Sequence, residues 1–271
     1  MLVFEFEPKE TKGCRVRAWL HSYDENQIEK RFRPAIVICP GGAYEANSER
    51  EAEPVAVQFF AAGYHTFILN YSVKEKAKGF EPLCQLAHTM MHIREKSEEW
   101  MVDKRKIAVC GFSAGGHLAA SLGILYNHKK FIDAFRRTDL IRPDAMILGY
   151  PVITSDEYAH VTSIENVSGS KKGSKEYEWF GLDQHVNPDT PPAFIWHTAN
   201  DQLVPVENSL KLAMACSKEK IPFELHVFPE GPHGMSVCNK EVENDRVSIK
   251  NRYPWVKLAT CWVNRLFDFE I

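Results

Sequence analysis

Ser113 has the neighbours of a nucleophile. It lies in Val109-Cys110-Gly111-Phe112-Ser113-Ala114-Gly115-Gly116-His117-Leu118, where an apolar run, Lys106 to Cys110, reads as a buried strand and the Ala/Leu-rich stretch after it as a helix. A hydroxyl at the tip of a tight strand-to-helix turn is exposed to substrate, and small flanks at 111 and 115 let the chain cross itself there. The first turn of the following helix aims unpaired N–H groups and a positive dipole end at the reacting oxygen.

A serine hydroxyl needs a base within hydrogen-bond reach, and the base needs an orienting carboxylate. Of eleven histidines, most fall on helices, within strands or in a long irregular segment; His233, in Pro229-Glu230-Gly231-Pro232-His233-Gly234, alone occupies the loop after the last strand. Asp201 follows the strand ending at His197 and can reach that loop from the neighbouring strand. A developing oxyanion needs aligned N–H donors. The Ala114 amide is one, and Pro40-Gly41-Gly42-Ala43-Tyr44, at the end of another strand, is the source of others. His88 and His92 are four apart on a helix, but no Glu stands where a zinc-protease helix needs one, which makes a metal site there a weak reading.

The elements around these residues set the architecture. The continuous apolar run Pro34–Cys39 and His65–Leu69 read as strands buried on both faces, and Asp144–Leu148, Ala193–His197 and Phe223–Phe228 as further strands. Helices are expected at Ser48–Ala62, with Ser48 as N-cap, at Leu83–Trp100, Val206–Lys220 and Pro254–Phe267. Val3–Phe6 and Arg15–Ser22 read as an edge hairpin. This alternation predicts an α/β fold, a mostly parallel sheet with helices on both faces and function at the carboxyl ends of its strands. Residues 155–188 lack a sustained period and read as an insertion or cap over the active site, within one domain spanning 1–271.

Composition sets outer bounds. With 44% hydrophobic and 25% charged residues, the chain reads as an ordinary globular protein. A net charge of −3 gives no basic field for nucleic acid. No bilayer-length apolar run and no secretory leader is visible, and the seven cysteines show no C-x-x-C pairing. The expectation is a cytoplasmic protein with no nucleic-acid or membrane partner, compatible with a homo-oligomer.

Gly111-Phe112-Ser113-Ala114-Gly115-Gly116-His117-Leu118-Ala119, Pro40-Gly41-Gly42-Ala43-Tyr44, Asp201-x-x-Val204-Pro205 and His233-Gly234 together resemble the lipase/esterase branch of the α/β-hydrolases. The resemblance runs from Pro34 to the C-terminus and is strongest to acetyl-xylan-esterase-like and hormone-sensitive-lipase-like carboxylesterases. It implies Ser113 as nucleophile, Asp201 as orienting acid, His233 as base, and the amides of Gly41, Gly42 and Ala114 as oxyanion hole. The common His-Gly-Gly-Gly stretch stands here as Pro40-Gly41-Gly42-Ala43. The implied reaction is hydrolysis of short-chain, acetyl-type esters, including those of sugars, without metal or organic cofactor. Tyr44, Tyr71 and Tyr150, with Trp179 and Phe180 of the insertion, are candidate rim residues for the substrate. Two other readings share the scaffold: a prolyl-oligopeptidase-type peptidase, a type that usually carries a large N-terminal domain for which these 271 residues are expected to leave no room, and a non-catalytic binding protein.

Overall fold

In the computed structural model, which describes residues 1–22, 31–132, 138–243 and 252–271, eight strands form one sheet. They are β1 (Leu2–Phe6), β2 (Arg15–Leu20), β3 (Arg33–Cys39), β4 (His65–Asn70), β5 (Val102–Phe112), β6 (Ala145–Gly149), β7 (Ala193–Thr198) and β8 (Phe223–Phe228). Their spatial order is β1-β2-β4-β3-β5-β6-β7-β8. The β1–β2 and β2–β4 pairs are antiparallel, and every pair from β4 to β8 is parallel.

Period-two alternation explains why the central strands carry no polar face. In β3, Ala35, Val37 and Cys39 enter one core, and Ile36 and Ile38 the other. Similarly Ile107 and Val109 of β5 face one side, and Ala108, Cys110 and Phe112 the opposite side.

The helices are α1 (Glu53–Ala61), α2 (Glu81–Glu95), α3 (Ser97–Trp100), α4 (Ser113–Leu125), α5 (Lys129–Ile132), α6 (Val161–Ser168), α7 (Lys175–Trp179), α8 (Glu207–Lys218), α9 (Lys240–Glu243) and α10 (Trp255–Phe267). On one face, α1 and α10 bury Val55, Phe59, Trp255 and Val263. On the other, α2, α4 and α8 bury Leu86, Met90, Leu118 and Leu212. All residues of α4 are buried, which is why its sequence is small and apolar on every side.

Three expected boundaries shift. Ser48 makes no side-chain cap; residues Glu49–Glu51 form a 3₁₀ turn, the chain breaks at Ala52, and α1 begins just before Pro54. Proline tolerates only the first helical turn, so it fixes the true start. The expected Leu83–Trp100 helix is divided at Lys96, where α2 ends before α3 begins. β5 also outruns the predicted Lys106–Cys110, delivering its last residue directly to the nucleophile turn. Residues 155–188 contain α6, α7 and a 3₁₀ turn at Leu182–Gln184. They are tied down by Asn166 Nδ2 donating to Ala43 O (2.8 Å) and Leu182 N to Ile153 O (2.8 Å). Among the described residues no helix is long and apolar enough to cross a membrane.

Candidate active site

Ser113 ends β5 and opens α4 with φ of 53°, a left-handed conformation unusual for serine. An ideal Cβ on Gly111 would lie 2.2 Å from Gly115 O, and one on Gly115 would lie 2.1 Å from Cys39 O. The motif's glycines therefore reflect backbone crossing backbone at van der Waals limits.

The other two predicted groups converge on this turn. Ser113 Oγ is 2.8 Å from His233 Nε2, and His233 Nδ1 is 2.7 Å from Asp201 Oδ2. The His233 loop is braced from the β7 end: Thr198 Oγ1 donates to Gly231 O (2.9 Å) and Gly231 N to Asn200 Oδ1 (2.8 Å). The His233 and Tyr150 rings meet in a T-shaped contact, 4.9 Å between centroids.

Asp201 accepts on both oxygens. Leu203 N (2.9 Å) and Val204 N (3.0 Å) donate to Oδ1, while Oδ2 faces His233 and lies 3.5 Å from His197 Nε2. Burial alone would raise this carboxyl. The hydrogen bonds from His197, His233 and Val204 outweigh it and hold the group well below the usual carboxylate range. A carboxylate so held stays charged while an imidazolium forms beside it.

The oxyanion loop departs from expectation at Gly41. Its N–H donates to Glu51 Oε2 (2.8 Å) and is not free to meet a substrate oxygen. Gly42, with φ of 125°, has no acceptor for its N–H among the described residues, and Ala114 in the first turn of α4 has no intrahelical one. Gly41 instead allows close approach: its ideal Cβ would fall 2.9 Å from Ser113 Cβ and 2.8 Å from Phe112 O.

The three tyrosines are not rim residues. Tyr44, Tyr71 and Tyr150 are buried, and their hydroxyls go to internal partners. Tyr71 donates to Pro40 O (2.5 Å), Tyr44 pairs with His117 Nδ1 (2.9 Å), and Tyr150 donates to Glu51 Oε1 (2.7 Å). They follow strand ends, as the sequence indicates, but their rings turn inward beneath the loops. Phe180 is likewise buried, and Trp179 packs edge-on against Phe80. His92, one of the weak metal candidates, stacks on Phe6 at 4.6 Å.

Two site residues escaped the sequence reading. Glu51 falls in the first turn of the expected Ser48–Ala62 helix, where an acid is ordinary. His117 looked like a helix residue, yet it joins three segments: Tyr44 of the oxyanion loop at Nδ1, Phe180 O of the insertion at Nε2 (3.0 Å), and α4 itself. Burial pushes the His117 imidazole down to about 4 from its ordinary 6.5, against the raising effect of the Phe180 carbonyl. The unfolded chain thus binds this proton below 6.5 while the native state refuses it until about 4. Stability contributed by neutral His117 is complete above 6.5 and is lost as pH falls through that window, by about 3 kcal/mol at its lower end. Denaturant titrations across the window should show a steeper acid loss for the wild type than for His117→Gln, which takes no proton; equal slopes would refute this.

Two depressions open beside loops that carry the site, and Ser113 is in the walls of neither. One of about 520 Å³ has His233, Asn200, Gln202 and Leu203 in its walls. The other, about 590 Å³, lies between the oxyanion loop and α6 and is lined by Glu45, Lys74, Asn166 and Ser170 among others. Both are rich in polar side chains. Among the described residues no group of three His, Cys, Asp or Glu side chains is gathered as a metal site would need.

Residues 21–215 match the BD-FAE family. The chain is 35% identical over 227 residues to endo-1,4-beta-xylanase B of Butyrivibrio fibrisolvens, covering 83% of this chain and 35% of that protein. It is 29% identical over 207 residues to an acetylxylan esterase of Xylanibacter ruminicola, covering 74% of this chain and 40% of the relative. The chain thus spans well under half the length of these curated relatives. A solved acetyl ester-xyloside bifunctional hydrolase from Caldicellulosiruptor lactoaceticus superposes with a TM-score of 0.79 at 32% identity, over 95% of this chain and 89% of that one. With the sheet order and the strand-end loops described above, these matches make the chain a member of the BD-FAE family, an esterase-like α/β-hydrolase.

Proposed function

We propose that the chain is a serine carboxylesterase that removes short acyl groups, acetyl foremost, from sugars or other small alcohols. The observation that carries this reading is the unbroken relay from Ser113 Oγ through His233 to Asp201, at 2.8 and 2.7 Å. In the reading, His233 Nε2 takes the hydroxyl proton as Ser113 Oγ bonds to the acyl carbon. The carbonyl oxygen becomes an oxyanion facing the amides of Gly42 and Ala114. The ester C–O bond then breaks, the alcohol leaves with the proton held by His233, and an acyl-serine remains. Water, deprotonated by the same imidazole, attacks the acyl carbon; Ser113 recovers its proton and the carboxylic acid departs. Asp201 stays ionised throughout and balances the imidazolium. The polar wall beside His233 supports a hydroxyl-rich leaving group over a long alkyl chain. The relatives described as acetylxylan esterase and acetyl ester-xyloside hydrolase support acetyl as the group removed.

A fluorophosphonate should label the wild type at Ser113, mapped by mass spectrometry, and leave Ser113→Ala unlabelled. On a panel of 4-nitrophenyl esters and acetylated xylo-oligosaccharides, kcat/KM should fall by about 100-fold from acetyl to octanoyl, as expected of an acyl site shaped for a short group. Absence of labelling in the wild type refutes the nucleophile; a preference for octanoyl refutes the acyl assignment.

A further inference from the structure

We infer that Glu51 is a positioning residue that fixes the oxyanion loop and the base loop to one another; this rests on the reading of Ser113 and His233 above. Glu51 is only 3% exposed, although it is an acid in a short 3₁₀ turn at the surface end of α1. Its two oxygens are divided between the loops. Oε2 accepts from Gly41 N (2.8 Å) and Oε1 from Tyr150 Oη (2.7 Å). Tyr150 Oη in turn accepts from Ser236 N (2.9 Å), three residues beyond His233. The same turn is fastened to Ser236 a second time, through its hydroxyl donating to Arg50 O, and Trp255 Nε1 donates to Ser236 O (2.7 Å).

The direction of every bond is set by chemistry. Gly41 N–H can only donate. The Tyr150 oxygen already receives the Ser236 N–H, so its own hydrogen goes to Glu51. The residue at 51 must therefore accept at both ends, which a carboxylate does and an amide does not. The turn also holds the other side of the Gly41 residue, because Ser48 N donates to Gly41 O (2.9 Å). In a trans peptide the C=O and the next N–H point in opposite directions. With Gly41 O turned toward Ser48, the Gly42 N–H faces away from the turn, on the side where no group among the described residues accepts it. Glu51 and Ser48 thus clamp Gly41 front and back and leave the Gly42 amide aimed outward. The Tyr150 link carries the same anchor to the His233 loop, so donor and base keep their separation while the substrate's charge moves between them.

The test measures kcat and KM for an aryl acetate per fluorophosphonate-titrated site, with thermal midpoints and the affinity of a trifluoromethyl ketone that adds to Ser113. Glu51→Ala should lower per-site kcat about 100-fold, the scale of losing an oxyanion donor, with KM within about threefold. Glu51→Gln keeps the Gly41 bond and should recover much of this, leaving about a tenfold deficit. Tyr150→Phe removes the hydroxyl that joins Glu51 to Ser236, leaves the Gly41 bond in place and should fall between the two. Ketone affinity should drop in proportion to kcat. If Glu51→Ala does not fold, Glu51→Gln and Tyr150→Phe carry the same comparison. Per-site kcat within twofold of wild type in these variants overturns the inference, even if the thermal midpoint or titrated fraction falls, since that is a structural role alone. Ser113→Ala separates the two readings: hydrolysis surviving there overturns the nucleophile, whereas an inactive Ser113→Ala beside unaffected Glu51 variants overturns only the role of Glu51.

Discussion

Asp201→Asn should lower kcat for an aryl acetate about 10⁴-fold at neutral pH and leave KM within a small factor. The size follows from which atoms are pinned. Oδ1 of Asp201 receives two backbone hydrogens, from Leu203 N and Val204 N. In the asparagine variant only the amide oxygen can take that place, because an NH₂ there would face two donors. The NH₂ is then driven to the Oδ2 position, against His233 Nδ1, 2.7 Å away in the wild type. It donates, so Nδ1 must be the bare nitrogen and the ring hydrogen moves to Nε2. That hydrogen points at Ser113 Oγ, where the reaction needs an acceptor. The group keeps its shape and loses its function through the wrong tautomer. The backbone bonds and the His197 neighbour remain, so the variant should fold and still bind ester. Steady-state kinetics check it, and the low-field Nδ1 proton resonance of the wild type should be absent. A variant within tenfold of wild type would show that Asp201 does not set the tautomer.

How far the site could be read in advance depends on whether its signals are local. Ser113, Asp201 and His233 each sit at the end of a recognisable strand, with Gly, Pro or Asn beside them, and strand order alone brings such ends together. Gly42 and Ala114 follow from the same logic. Glu51 does not, because what makes it matter is Tyr150 and Ser236, 99 and 185 positions away as numbered here, and no spacing announces that meeting. The tyrosines show a second limit. Sequence places Tyr44, Tyr71 and Tyr150 at functional strand ends, but ring direction is set by backbone torsion. Tyr44 and Tyr150 both adopt positive φ, 59° and 36°, which turns them under the loops instead of toward substrate. The helix breaks at Ala52 and Lys96 were hidden because apolar spacing continues across them. At Ala52 the decisive signal was Pro54, two residues on. The fold itself was the most legible layer, since uninterrupted apolar strands alternating with amphipathic helices admit few arrangements.

Gly115→Ala should lower stability by about 4 kcal/mol and the thermal midpoint by roughly 10 °C. Its φ is not among the positive values, so the cost is contact and not backbone conformation. The added Cβ would stand 2.1 Å from Cys39 O and 2.3 Å from Pro40 O. A flexible side chain could turn away from such an intrusion, but these atoms are main chain at the end of β3, held between β4 and β5. Relief requires α4 to move off the sheet or the Pro40–Gly41 segment to shift, and either displaces the Gly42 and Ala114 amides. Gly79→Ala provides the contrast. There φ is +70° and nothing lies within 4 Å of the new Cβ, so the variant should lose only about 1–2 kcal/mol from left-handed strain. Parallel thermal melts and per-site kcat decide it. Equal losses for the two variants would mean that the crossing at Gly115 is looser than its contacts require, and that the tight turn under Ser113 is not what holds the nucleophile against the oxyanion loop.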